Sequence, residues 1–270
     1  MLAGIVWLAI VPAAFGQAQS SAPAPNPDGP LYQQTGEQYR VYDFPGTGEG
    51  IPYRLFVPSS WRPGRSLPIL ITLRAGMSVN NNHREGNDLV REAEQRDYIV
   101  ISPMGYKPLR QPYYGSPYPI RRAGGLTVPG DGWSAEDNAR AELDVLYVLD
   151  IVAREYGADT SRVYIHGQNP SGSGALYLVA KYPERFRGAV ISSAPIVTDD
   201  YPFEKIAGKV ALLVVHGDQD TVNPIEASRE LAAAARAAGV DARYATIPGG
   251  THLTAYLDFA GEIFDFLDAH

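Results

Sequence analysis

The sequence predicts a single α/β domain built on a mostly parallel, doubly wound sheet. Three observations carry this expectation. From about residue 38 the periodicity switches back and forth between strand-like and helix-like segments, the pattern of strands joined by crossover helices. Several strand segments, such as LPILITL at 67–73 and YIVIS at 98–102, are continuous apolar runs, which suit strands covered on both faces. The chain has 270 residues, 45% apolar and 20% charged, enough to bury a large core and too apolar for the body to be disordered.

The first segment, residues 2–15, is apolar and uncharged, and runs into the small-residue sequences Ala14-Phe15-Gly16 and Gly16-Gln17-Ala18. It is too short to span a bilayer comfortably, so residues 1–18 read as a signal peptide, with an uncleaved anchor as the alternative because no Lys or Arg follows Met1. Residues 19–37 read as a disordered leader and 38–270 as the folded domain. Signal cleavage would leave a secreted or periplasmic protein with no stable membrane span.

Segments 40–44 and 52–57 suit an opening antiparallel pair, followed by a buried strand at 67–73, a helix at 87–96 and a strand at 98–102. Ser134 suits the cap of a long helix with Glu136 and Asp137 in its first turn and Leu143, Leu146, Tyr147, Leu149 and Val152 on its apolar face. A strand at 162–166, a helix running to Lys181 and a strand at 188–192 follow. Then come a strand at 209–216, a helix at 224–238 stopped by Gly239, a strand at 242–247 and a closing helix at 253–267. The interruption is residues 103–133, a loop with six prolines and the rings of Tyr106, Tyr113, Tyr114 and Tyr118.

Composition excludes several functions. The net charge of −7 argues against a nucleic-acid partner. The absence of cysteine removes disulfides, thiolate metal sites and cysteine nucleophiles. His166, Asp220 and His252 lack the spacing of a metal motif, so no metal or other cofactor is expected. His166, at the end of a buried strand, reads as a core histidine, Asp218 as a turn residue, and His83 and His270 as solvated.

Three features carry the chemistry. Val163-Tyr164-Ile165-His166-Gly167-Gln168-Asn169-Pro170-Ser171-Gly172 reads as strand, tight glycine-flanked turn and helix. Val214-Val215-His216-Gly217-Asp218-Gln219-Asp220 puts an acid just beyond a strand, and Pro248-Gly249-Gly250-Thr251-His252 puts a histidine beyond the last strand. With YRLFVPSSW at 53–61, YIVISPMG at 98–105 and KYPERF at 181–186, the chain resembles the secreted esterase branch of the α/β-hydrolase superfamily. That branch includes polyhydroxybutyrate-depolymerase and feruloyl-esterase-like proteins and borders on prolyl-oligopeptidase-type hydrolases. The resemblance implies a serine-dependent carboxylic-ester hydrolase with Asp220 as the acid, His252 as the base and position 169 as the nucleophile.

Position 169 is asparagine. An amide nitrogen is not a nucleophile and offers His252 no hydroxyl proton. The residue after the nucleophile should donate its backbone N–H to the oxyanion, and here it is Pro170, which has none. The second oxyanion loop, expected near Ala75 and Gly76, reads Arg74-Ala75-Gly76-Met77 and lacks the usual His-Gly-rich sequence. Asn169 suits the positive φ of an elbow, so it substitutes structurally for serine. Ser171, followed by Gly172, is the alternative nucleophile.

The leading expectation is a pseudo-esterase that binds a small molecule, polymer or glycan, with Arg74, Tyr113, Tyr114, Tyr118 and Trp133 as binding candidates. The competing expectation is an active hydrolase using Ser171, or another mechanism, with Asp220 and His252.

Overall fold

A computed structural model of the protein describes residues 33–73, 88–106, 118–121, 127–128, 135–196, 198–252, 254 and 259–270. Eight strands form one sheet: β1 (Gly36–Asp43), β2 (Gly50–Val57), β3 (Ile69–Leu73), β4 (Ile99–Pro103), β7 (Val163–Gln168), β8 (Gly188–Ser192), β9 (Ala211–Gly217) and β10 (Ala242–Ile247). Their spatial order is β1-β2-β4-β3-β7-β8-β9-β10. The pairs β1–β2 and β2–β4 are antiparallel, and every pair from β4–β3 to β9–β10 is parallel. The helices are α1 (Asp88–Arg96), α2 (Ala135–Tyr156), α3 (Pro170–Lys181), α4 (Ile225–Ala237) and α5 (Ala260–Asp268).

The continuous apolar runs sort by alternate residues onto two cores. Ile69, Ile71, Leu73, Ile99, Ile101, Val163, Ile165, Leu212 and Val214 face one core, with Val145, Val148 and Leu149 of α2, Leu176 and Val179 of α3 and Leu231 of α4. Leu70, Val100, Tyr164, Leu213 and Val215 face the other, with Leu89 of α1 and Ile263 and Phe264 of α5. A period of two inside an unbroken apolar run is what a sheet with helices on both sides requires.

Three differences from the sequence expectation have local causes. The opening strand extends from Gly36 because Arg40 is fixed from α2: its Nη1 donates to both Glu155 oxygens at 2.7 and 2.6 Å, and its Nη2 to Tyr156 Oη at 2.9 Å. The 103–133 segment is not an unbroken loop, since β5 (Ile120–Arg121) pairs antiparallel with β6 (Thr127–Val128), and Ile120 bridges to Ile196. The last helix is Ala260–Asp268; of the residues expected to begin it, 254 and 259 form turns, and 253 and 255–258 lie outside the described residues.

The segment 181–186 also finds its reason. Lys181 Nζ donates to Glu142 of α2 at 2.7 Å, Tyr177 Oη does so at 2.9 Å, and Tyr182 Oη donates to the same carboxylate. These bonds hold the end of α3 against α2. His270 is not simply solvated: Nδ1 donates to Phe266 O at 2.8 Å and Nε2 lies 3.2 Å from Asp241 Oδ2. Among the described residues, no helix is long and apolar enough to cross a membrane.

Candidate functional site

The carboxyl ends of β7, β9 and β10 lie on one edge of the parallel sheet, and their following loops carry Asn169, Asp220 and His252. Ligand sites of open α/β sheets form at such carboxyl ends. After β7 the backbone turns sharply at Asn169, with φ 54° and ψ −128°, and α3 begins at once with Pro170. The turn is tight enough that a Cβ on Gly167 would lie 2.2 Å from the Ser171 carbonyl oxygen and 2.8 Å from the Gly172 nitrogen. Both obstacles are backbone and cannot rotate away. Gly167→Ala is therefore expected to cost about 1–3 kcal/mol, read as a fall in the urea midpoint at unchanged slope. An unshifted midpoint would contradict the tight turn.

Asp220 is the centre of the charge network. Its Oδ2 accepts from His252 Nδ1 at 2.8 Å and lies 3.2 Å from His216 Nε2, while Oδ1 accepts from the backbone N–H of Val222 at 2.8 Å and of Asn223 at 3.0 Å. Burial alone would raise its pKa, but the two histidines and two amides outweigh that cost and hold the carboxyl well below the usual carboxylate range. Asp220 is therefore a fixed anion. His216, fully buried, is oriented by Ser228 Oγ, 2.7 Å from its Nδ1.

The acid and histidine loops are clasped together. A Cβ on Gly217 would lie 2.1 Å from the Gly250 carbonyl oxygen, so only glycine permits the approach. Gln219 N–H donates to Gly250 O at 2.9 Å, and Asp218 accepts the Gly249 N–H at 2.8 Å, which makes Asp218 a loop clasp. The elbow joins them, because Gln168 Nε2 donates to the His252 carbonyl. Asn223 joins them again: its Nδ2 donates to Asn169 Oδ1 at 2.8 Å and to Ser193 O at 2.7 Å.

Ser171 lies in the first turn of α3 with 0% exposure, and the Gly172 N–H beside it already donates to the Asn169 carbonyl at 3.0 Å. His166 is buried beneath the elbow, its Nε2 3.0 Å from Ser192 Oγ, and burial pushes its pKa down to about 4. Among the described residues no group of three His, Asp or Glu side chains could hold a metal ion. Tyr118 packs edge-on against Tyr177 and Tyr201 on the flank of α3, with ring centroids 6.4 and 5.1 Å away. Arg74, Ala75, Gly76, Tyr113, Tyr114 and Trp133 lie outside the described residues.

Three participants escaped the sequence reading. His216 stands four residues before the acid and Asn223 three after it, spacings that could have flagged them. Gln168 carries no comparable signal.

Comparison with known proteins adds the lineage. The Esterase family model, described as "Putative esterase", matches residues 45–266. The chain belongs to this esterase family. Among relatives of this family member, "Probable acetylxylan esterase A" of Aspergillus fumigatus is 24% identical over 188 residues, covering 69% of the chain and 46% of the relative. Acetylxylan esterase A of Aspergillus ficuum is 24% identical over 161 residues, covering 60% and 48%. The esterase-family chain thus spans about half the length of the relatives it matches. A thermostable esterase superposes with a TM-score of 0.64 at 23% identity, covering 86% of this chain and 62% of the other. Est1E from Butyrivibrio proteoclasticus does so with a TM-score of 0.57 at 14% identity, covering 87% and 100%. At these identities the superpositions establish the fold, which is that of an α/β hydrolase.

Proposed function

We propose that this esterase-family protein has lost serine-dependent hydrolysis and uses the inherited cleft to bind a ligand, with Asp220 and His252 kept as a polar anchor. One observation carries the reading: the left-handed elbow between β7 and α3 is occupied by Asn169, whose side chain accepts a hydrogen bond from Asn223. The residue at that point has no hydroxyl to activate, and Pro170 behind it has no N–H for an oxyanion. The Ser171 alternative is disfavoured, because that side chain is fully buried and its candidate oxyanion donor, the Gly172 N–H, is already engaged.

The relatives' names support an acetylated glycan as the ligand, within a wider class that takes in aryl esters and polymers. The apolar segment 2–15 supports export to a secreted or periplasmic location, where such polymers are met.

Turnover of 4-nitrophenyl acetate tests the reading. The native protein should release nitrophenol no faster than an Asp220→Asn/His252→Ala variant. Turnover that persists in the native protein and vanishes in Ser171→Ala would overturn the reading and install Ser171 as the nucleophile.

A further inference from the structure

The hydrogen bonds around the elbow fix more than the position of Asn169. They fix which end of its amide faces Asn223. The Ser193 carbonyl can only accept, so the end of the Asn223 side chain 2.7 Å from it must be the NH₂ group. That same nitrogen lies 2.8 Å from the Asn169 side chain and has a second hydrogen to give, so the Asn169 atom facing it must be the oxygen. Asn169 Nδ2 therefore points away from Asn223. It makes no cap bond to α3 and has no partner among the described residues.

His252 is fixed in the same way. Asp220, held anionic, can only accept, so His252 Nδ1 carries the hydrogen of their 2.8 Å bond. Nε2 is left without a partner among the described residues, on a side chain only 11% exposed. The two side chains belong to one cluster, because Asn169 is bonded to Asn223, Asn223 N–H to Asp220, and Asp220 to His252, with Gln168 tying the elbow to the His252 carbonyl.

An amide donor and an imidazole nitrogen, on loops joined by these bonds, match one functional group closely. We infer that the cleft binds a carboxylic acid, with Asn169 Nδ2 donating to one carboxyl oxygen and His252 Nε2 holding the other. This rests on the reading of the cleft as a binding site rather than a hydrolytic one. One proton lies between Nε2 and the carboxyl oxygen, whether written as acid and imidazole or as carboxylate and imidazolium. The other titratable groups facing His252 are Asp220 and, through it, His216, while Asp218 is engaged by Gly249. An ester carbonyl can use the Asn169 donor but brings neither an O–H nor an oxyanion to Nε2. Within the glycan or polymer ligand proposed above, the group anchored at these two nitrogens is thus a free carboxyl group rather than an ester carbonyl.

The test is titration of the native full chain with acetate, the smallest probe with a carboxylate, and with methyl acetate as the neutral control. Acetate should give a saturable shift of the Asn169 side-chain amide resonances. Methyl acetate should bind at least about 10-fold more weakly, the scale of a lost charged hydrogen bond. Asn169→Ala, which removes the donor without adding charge, should weaken acetate by about 10-fold. Asn169→Asp, which keeps the acceptor for Asn223 but replaces the donor by an anion, should weaken it further. Thermal unfolding of both variants checks that they are folded. Equal affinity for acetate and methyl acetate, or native acetate affinity in folded Asn169→Ala, overturns the inference. Hydrolysis of methyl acetate by the native chain would instead overturn the non-hydrolytic reading, while acetate binding and its dependence on Asn169 stay measurable.

Discussion

An Asn169→Ser/Pro170→Ala double variant should gain esterase activity over the native protein. Serine at the elbow supplies the attacking oxygen, and Asp220 already orients His252 to receive its proton. Replacing Pro170 by alanine supplies the backbone N–H that follows a nucleophile in this fold. Loss of a nucleophile costs about 10⁶ in turnover in a serine protease, and loss of one oxyanion donor about 10²–10³. The single variant Asn169→Ser should therefore fall about 10²–10³-fold below the double variant. The double variant should exceed the native rate on 4-nitrophenyl acetate by at least about 10²-fold, since even partial recovery of both terms reaches that level. Adding Asp220→Asn should abolish the gain. A folded double variant no faster than the native protein would contradict Asn169 as the nucleophile position.

The second large effect is on stability in acid. His166 is fully buried and its pKa is pushed down to about 4 by burial. In the unfolded chain it would titrate near its ordinary 6.5. Between these values the unfolded state binds more protons than the folded one, so stability falls as pH falls. Across the window of about 2.5 pH units the loss reaches about 3 kcal/mol. Asp144 works in the opposite direction, because burial pushes its carboxyl up to about 6 despite bonds from Tyr42 and the Gly105 amide. His166→Gln removes only the histidine's contribution, so its stability should decline less between pH 6.5 and 4, whatever its level at pH 7. Denaturant midpoints measured across that window check this. Parallel pH profiles for variant and native protein would contradict the buried neutral histidine.

The fold was legible because its signals are local. LPILITL and YIVIS announce two-sided strands by composition alone, and alternate residues such as Ile69 and Leu70 go to opposite cores. The two-residue strands β5 and β6 were not legible, since they are set by the Ile120–Ile196 bridge to a distant segment. Of the site, Asp220, His252 and Asn169 were legible because each directly follows a strand or a glycine turn. His216 and Asn223 were not read as site residues, because their roles appear only when the β7, β8 and β9 loops meet. Asn223 touches Asn169 and Ser193, 54 and 30 residues away in sequence. Tyr118, a binding candidate by its place in an aromatic loop, has its ring edge-on to Tyr177 and Tyr201, contacts that sequence could not show.

On the proposed reading, the native protein should be inert to reagents that need an activated serine. Intact-mass measurement after incubation with a fluorophosphonate tests this directly, because the reagent marks such a serine by its mass whatever the natural ligand is. The native protein should keep its unmodified mass while the Asn169→Ser/Pro170→Ala variant gains one adduct on the introduced serine. A stoichiometric adduct on the native chain, mapped to Ser171 or any other serine, would contradict the loss of serine-dependent chemistry.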